Sequence, residues 1–266
     1  MKRIISLVIA LVVLGTVSFG ITGKEVMQKA KDRETGATLH GLMGMDLIDK
    51  DGTINPRTIE MWGAKYDKEK DLSKSIMVFK APAAVKNTRF LQVENDGRDN
   101  DKWIYLPALG RVRRISSSEG SSSFMGSDFT YDDMETREIE QDTHKLLREE
   151  KLGKYDCYVV ESISKDPEDS QYSKRISWVS KDSFIPVKGE LYSKKTGKVQ
   201  KVMIVKQNIK KVQGIWTIFE TIMEDKENGH KTKLYVKRSK KGAPYIEYNK
   251  KINSTRFTQR YLKTGR

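Results

Sequence analysis

The sequence predicts a mainly β protein with few helices, an α+β chain built as an antiparallel meander. Short runs rich in Val, Ile, Leu, Phe, Tyr and Trp recur along it, and turn signals such as Asp51-Gly52, Lys195-Thr196-Gly197 and Asn228-Gly229 separate them. One segment near the N-terminus, "TGKEVMQKAKDRE", has helical spacing instead. Several strands are apolar on both faces, as in a large curved sheet with something packed on its inner surface.

The elements follow in order. Met1-Lys2-Arg3 is a cationic start, "IISLVIALVVLGTVSFG" is uncharged and apolar, and Ser18-Phe19-Gly20 ends it with small residues at both positions that signal peptidase reads. This is the pattern of an export signal over residues 1–20, leaving 21–266 as one domain. The apolar stretch is at the short limit for a span and is diluted by Ser6, Gly15, Thr16 and Ser18. Thr22, with Glu25 three residues on, is a capping box for a short helix that places Val26, Met27 and Ala30 together. "LHGLMGMDLI" and "RTIEMWGAKY" form a hairpin around Asp51-Gly52. "KSIMVFKAP", "TRFLQVEND" and "DKWIYLPAL" continue the meander. After a serine-rich interruption around Gly120 it resumes with "DTHKLLREEK", "YDCYVVESIS", "QYSKRISWVS", "FIPVKGELYS", "KVQKVMIVKQNIKKV", "GIWTIFETIMED" and "HKTKLYVKRS". In "GIWTIFETIMED", Ile215, Phe219 and Met223 share one face, and Trp216, Ile218, Glu220 and Ile222 the other.

Charge and chemistry narrow the function. The net charge of +14 becomes +12 once Lys2 and Arg3 leave with the signal. The cations are scattered over turns and strand ends among acidic residues, which argues against nucleic acid and for anionic lipid, cell wall or acidic partners. The single cysteine, Cys157, excludes an intramolecular disulfide and reads as a buried strand residue. "DKDGTI" resembles the middle of a calcium loop, but Leu47 and Thr58 fall where its first and last carboxylates belong, so it is a hairpin turn. His40, His144 and His230 are not at metal-ligand spacing. The serines around Gly120 lack a nucleophile elbow, and Asp132 and Asp133, adjacent on an extended chain, point opposite ways. No catalytic group, metal site or cofactor is expected; a binding protein fits better than an enzyme.

"WIYLPALGRVRRISSSEGSSSFMGSDFTYDDM" resembles the central motif of the LolA-like outer-membrane lipoprotein-sorting proteins, in the exported, largely uncharacterised branch that carries "YLPALRRVRRIS" and "SFMGSDFTYED". The likeness runs from Asp51-Gly52, through "VFKAPAAVKNTRFL", to the strand near Phe184 to Val187. Gly110 departs from the branch's usual Arg, and the serine loop is longer. The resemblance implies a half-open, strongly curved antiparallel β-barrel, helices over its concave face, and an apolar cavity that takes acyl chains. It also implies partners: lipid or lipoprotein acyl chains, an inner-membrane ABC or RND-type transporter, and an outer-membrane acceptor.

These expectations assign the residues. Trp62, Trp103, Trp178 and Trp216 are spread through the sheet and, with Phe79, Leu91 and Tyr105, are candidates to line the cavity. Phe124, Met125, Phe129, Tyr131 and Met134 sit on a loop too apolar to hang in water, either folding over the cavity mouth or plugging the core beneath. Pro107 confines its strand to an edge, and Arg111, Arg113 and Arg114 place positive charge beyond that rim for an anionic head group or an acidic patch on a partner. The function expected is a periplasmic carrier that binds lipid or lipoprotein acyl chains and delivers them toward the outer membrane without catalysis. The alternative is a non-carrying envelope protein, either a stress sensor or a scaffold for an RND-type exporter. N-terminal sequencing of the exported protein is expected to begin at Ile21; recovery of Met1 in a membrane fraction would make the segment an anchor.

Overall fold

The computed structural model describes residues 20–206 and 209–266. The export signal lies, up to Phe19, outside the described residues. The first element is helix α1, Gly23–Lys31. Its capping box forms as expected: Glu25 N–H donates to Thr22 Oγ1 at 3.2 Å, and Thr22 N–H donates to the Glu25 carboxylate at 2.7 Å.

Among the described residues, fourteen strands make one antiparallel sheet. The first six are β1 (Thr38–Ile48), β2 (Ile54–Asp67), β3 (Leu72–Ala81), β4 (Arg89–Val93), β5 (Asp101–Leu106) and β6 (Arg111–Ile115). After residues 116–141 come β7 (Asp142–Leu152), β8 (Tyr155–Ser164), β9 (Tyr172–Ser180), β10 (Pro186–Ser193) and β11 (Val199–Val205). Strands β12 (Ile209–Val212) and β13 (Ile215–Ile218) form a separate two-stranded hairpin, and β14 (Glu220–Asp225), β15 (Lys231–Val236) and β16 (Ile246–Tyr248) return to the large sheet before helix α2 (Gln259–Thr264). The strand order is β6-β5-β4-β3-β2-β1-β15-β14-β11-β10-β9-β8-β7, with β16 also on β1. The outermost strands, β6 and β7, are consecutive in the chain yet do not pair, so the sheet is not closed.

The β1–β2 turn at Asp51-Gly52 is a hairpin, as read, with Gly52 at φ 88°, a conformation that an L side chain resists. Two long runs break where a single strand was expected. "KVQKVMIVKQNIKKV" divides into β11 and β12, and "GIWTIFETIMED" divides at Phe219 into β13 and β14. The alternation survives the break, since Ile215, Phe219 and Met223 are all buried while Trp216 is 37% exposed. Periodicity alone therefore could not reveal that the first half pairs with β12 and the second with β11 and β15.

Register assigns the two faces of the sheet, because directly opposed residues on neighbouring strands point the same way. One row runs Met77–Phe90–Ile104, and the next Ile76–Leu91–Trp103. On the face of the first row, Phe79, Phe90, Ile104, Ile115, Met45 and Leu47 form a cluster with Phe124 and Tyr131 from the 116–141 segment. From Leu47 the same face passes through Thr232, Met223, Met203, Gly189 and Ser177 to Val160. There α1 lies on it, burying Val26 and Ala30 against Val160 and Val179. Gly23 is pressed on β7, where a Cβ would come within 2.6 Å of the Leu146 backbone nitrogen, so only glycine lets the helix start that close. Helix α2 and the 3-10 turn before it, Ser254–Phe257, cover the opposite face, with Phe257 and Leu262 against Trp62, Ile76 and Leu91. The two helices thus occupy opposite faces, where the resemblance implied one shared face. The reason is the C-terminal helix, which no sequence pattern announced.

Candidate lipid-binding face and the loop that fills it

The face lined by Phe79, Phe90 and Ile104 is apolar, and a segment of the chain itself lies on it. Ser123 and Thr130 form an isolated antiparallel bridge, and Phe124 N–H donates to Phe129 C=O at 2.8 Å, so the segment folds back as a small hairpin. Gly126 at its tip has φ 75°, which permits the reversal. Phe124 is 0% exposed and packs edge-on to Phe90 and Tyr131, with ring centroids 5.2 and 5.6 Å away. Met125 and Met134 flank the same cluster, and Phe129 and Tyr131 are buried. Of the two arrangements the composition allowed, the aromatic segment adopts the inner one: it plugs the face.

The plug is held by polar contacts as well. Asp128, 7% exposed, accepts from Thr232 Oγ1 at 2.7 Å and from His230 Nδ1 at 2.7 Å, while its own N–H donates to Thr232 Oγ1 at 2.8 Å. Lys201, also buried, donates to the Asp128 C=O at 2.7 Å and stands 3.7 Å from the Asp133 carboxylate. Tyr172 donates its hydroxyl to Asp133 at 3.1 Å, Gln171 donates to Thr130 Oγ1 at 2.7 Å, and Arg57 donates to the Met125 C=O. Burial first, and then the Asp133 charge, push the Tyr172 hydroxyl pKa far above its usual value, so it stays a donor. Asp132 points instead toward Lys102; the pair lies in a single 3-10 turn, Asp132–Met134, and not on the extended chain that was expected, and burial raises the Asp132 carboxyl pKa. A polar hollow of about 330 Å³ opens beside Asp128, Lys201 and His230, and a second of mixed lining, about 270 Å³, lies at Phe219, Tyr235 and Arg238. Neither is an apolar chamber.

The remaining assigned residues do not share this site. Trp62, Leu91, Trp103 and Tyr105 lie on the opposite face with α2. Trp178 is buried in a further cluster with Cys157, Val159 and Ile185, and its Nε1–H donates to Glu150. Trp216 is partly exposed with Lys211 over its ring at 5.0 Å. Cys157 is fully buried, and burial pushes its thiol up to about 11. Arg113 is bound to Glu119 and Arg114 to Asp101 at 2.8 Å, which leaves Arg111 as the exposed member of the trio without an ion pair among the described residues. The sequence reading missed Asp128, Lys201, Tyr172, His230 and Thr232. The separations in sequence are long, 104 residues for Asp128 and Thr232, so no local motif could have joined them.

An unclosed antiparallel sheet whose face is covered by α1 and a return loop is a fold of the LolA type. A LolA superfamily protein from Nitrosomonas europaea shares it at TM-score 0.67 and 21% identity, over 91% of this chain and all of the other. A putative outer membrane lipoprotein-sorting protein domain from Vibrio parahaemolyticus is 30% identical at TM-score 0.80, covering 91% of this chain and 98% of its own. A DUF1329 family protein from Desulfovibrio piger is 26% identical at TM-score 0.81, covering 90% and 97%. A family model described only as that of an uncharacterized protein matches residues 71–264. The chain belongs to the LolA-like outer-membrane lipoprotein-sorting family. No curated protein matches it.

Glu119 fixes the entry to the plug. Its carboxylate accepts from Ser116 N–H and Ser116 Oγ, both at 3.0 Å, and binds Arg113; with the backbone hydrogen bond foremost, these contacts hold its pKa at about 2 instead of 4.5. A carboxyl depressed on folding contributes stability above its unfolded value and loses it as pH falls through the folded one. Glu119→Gln is therefore expected to lower the urea midpoint at pH 7, with the difference from the parent shrinking as pH falls from 4.5 toward about 2. A difference independent of pH would remove the charge from this account.

Proposed function

We propose that the protein is a periplasmic carrier of acyl chains, from lipid or lipoprotein, and that the Phe124–Met134 plug occupies the acyl site when cargo is absent. In this reading the covered face is the concave one, with α1 and the plug across it. Phe124, Met125, Phe129, Tyr131 and Met134 act as the lid and leave the face, and Phe79 exchanges them for the acyl chain. The observation that carries it is the plug itself: its apolar side chains fill the apolar face of an unclosed sheet, while it adds no strand to that sheet. Such a cover can leave without breaking a β-ladder, and the face it exposes would gain about 0.8 kcal/mol for each acyl methylene it takes from water. No group acts chemically; release follows transfer to a tighter partner or re-entry of the plug. The donor and acceptor on this reading are an inner-membrane ABC or RND-type transporter and an outer-membrane acceptor.

The packed interior is also what favours the second reading, a stress sensor or scaffold that never opens. A fluorescent fatty-acyl probe added to delipidated protein separates the two. The carrier binds it saturably at one or a few sites with a change in tryptophan emission. Phe124→Ala, which weakens the plug by about 3–5 kcal/mol, binds at least about tenfold tighter because less of the protein is self-occupied. Absence of saturable binding in both proteins, each shown to be folded, supports the scaffold.

A further inference from the structure

We infer that one corner of the sheet, at the turns following β3 and β5, is a docking surface for an anionic lipid bilayer. Three stretches of the chain carry cations and no carboxylate: Lys80 to Val93, Lys102 to Ser118, and Lys250 to Arg266. The fold brings them together. Arg89, the first residue of β4, pairs with Val78 on one side and Tyr105 on the other, so the turns at 82–88 and 107–110 leave the same end of the sheet. Its guanidinium lies 5.1 Å from the Tyr105 ring centre and donates to the Leu262 and Lys263 carbonyls at 3.0 and 3.3 Å, which fastens the end of α2 to the same corner.

What the corner presents is apolar at its tip and basic around it. Pro82, Ala83 and Ala84 on one turn and Pro107, Ala108 and Leu109 on the other are exposed, Leu109 by 55%. Lys86, Arg111, Lys263 and Arg266 are exposed and make no ion pair among the described residues. Lys80, Arg113 and Arg114 are neutralised by Glu60, Glu119 and Asp101 and are not part of the surface. Turn tips with a few apolar side chains can enter a head-group layer, where each nearby cation adds attraction that decays over a Debye length. A stable protein interface, by contrast, takes about 800 Å² from each partner. The inference goes beyond the carrier reading, since none of these residues packs in the plug cluster; Arg111, opposite Leu106, stands exposed at its rim.

Flotation of the full mature chain with vesicles tests it. Phosphatidylcholine containing about one third phosphatidylglycerol is expected to carry the protein, whereas pure phosphatidylcholine is not, and binding falls steeply with salt. Leu109→Ser weakens binding roughly tenfold. The triple variant Lys86→Gln, Arg111→Gln, Lys263→Gln weakens it roughly a hundredfold, about fivefold per cation. These residues are exposed, so folding and acyl-probe binding stay at parent levels. Equal binding to neutral vesicles, no binding to either, or parent-level binding by the triple variant overturns the inference. So does capture by soluble polyglutamate with the same dependence on the three cations, which would assign the corner to an acidic polypeptide. Flotation without probe binding defeats the carrier reading alone, and probe binding without flotation defeats this one alone.

Discussion

The constraint on which the structure depends is that a sheet apolar on both faces and open at both edges must be covered by something other than itself. Edge strands invite pairing, and both ends here discourage it by charge. β6 is short and holds three arginines; β7 carries Lys145, Arg148, Glu149, Glu150 and Lys151. The chain could have closed the barrel by pairing them. Instead it leaves β6, lays residues 116–134 along the Phe79–Phe90–Ile104 face, and enters β7 at the other end. Helix α1 covers another part of that face and α2 part of the other.

The cover and the sheet are held by different forces. Strands are locked to one another by backbone ladders. The plug is attached by rings set edge to face and by side-chain contacts through Asp128, Asp133, Lys201, Tyr172 and Thr232. Buried polar contacts of this kind fix one geometry and lose their value together once a member is exposed to water. A segment so held suits a two-state element: seated as one unit, or displaced as one unit. That property links the fold to the carrier reading more directly than any single cavity would.

Much of the fold was legible in local patterns. The Thr22–Glu25 capping box, the Asp51-Gly52 hairpin and buried Cys157 each depend on a few neighbouring residues, and each is present. Long-range features were not legible. The break at Phe219 keeps the alternation intact, so only the change of pairing partner reveals it. Phe124 and Tyr131 were recognisable as side chains that must leave water, but whether they lie over an opening or within it is decided by contacts with Phe79 and Phe90, far away in sequence. The tryptophans were chosen for size, and size does not specify a face: Trp62 and Trp103 pack under α2 instead.

The central claim is that the plug and an acyl chain compete for one face. Amide hydrogen exchange, followed with and without a saturating fatty acid, tests it most directly, because it reports local opening residue by residue. The amides of Phe124, Asp128 and Tyr131 should exchange faster when the fatty acid is bound, while those of β3, β4 and β5 keep or gain protection. Slower exchange throughout the plug on binding, or no change in a protein that binds the fatty acid, would contradict the account.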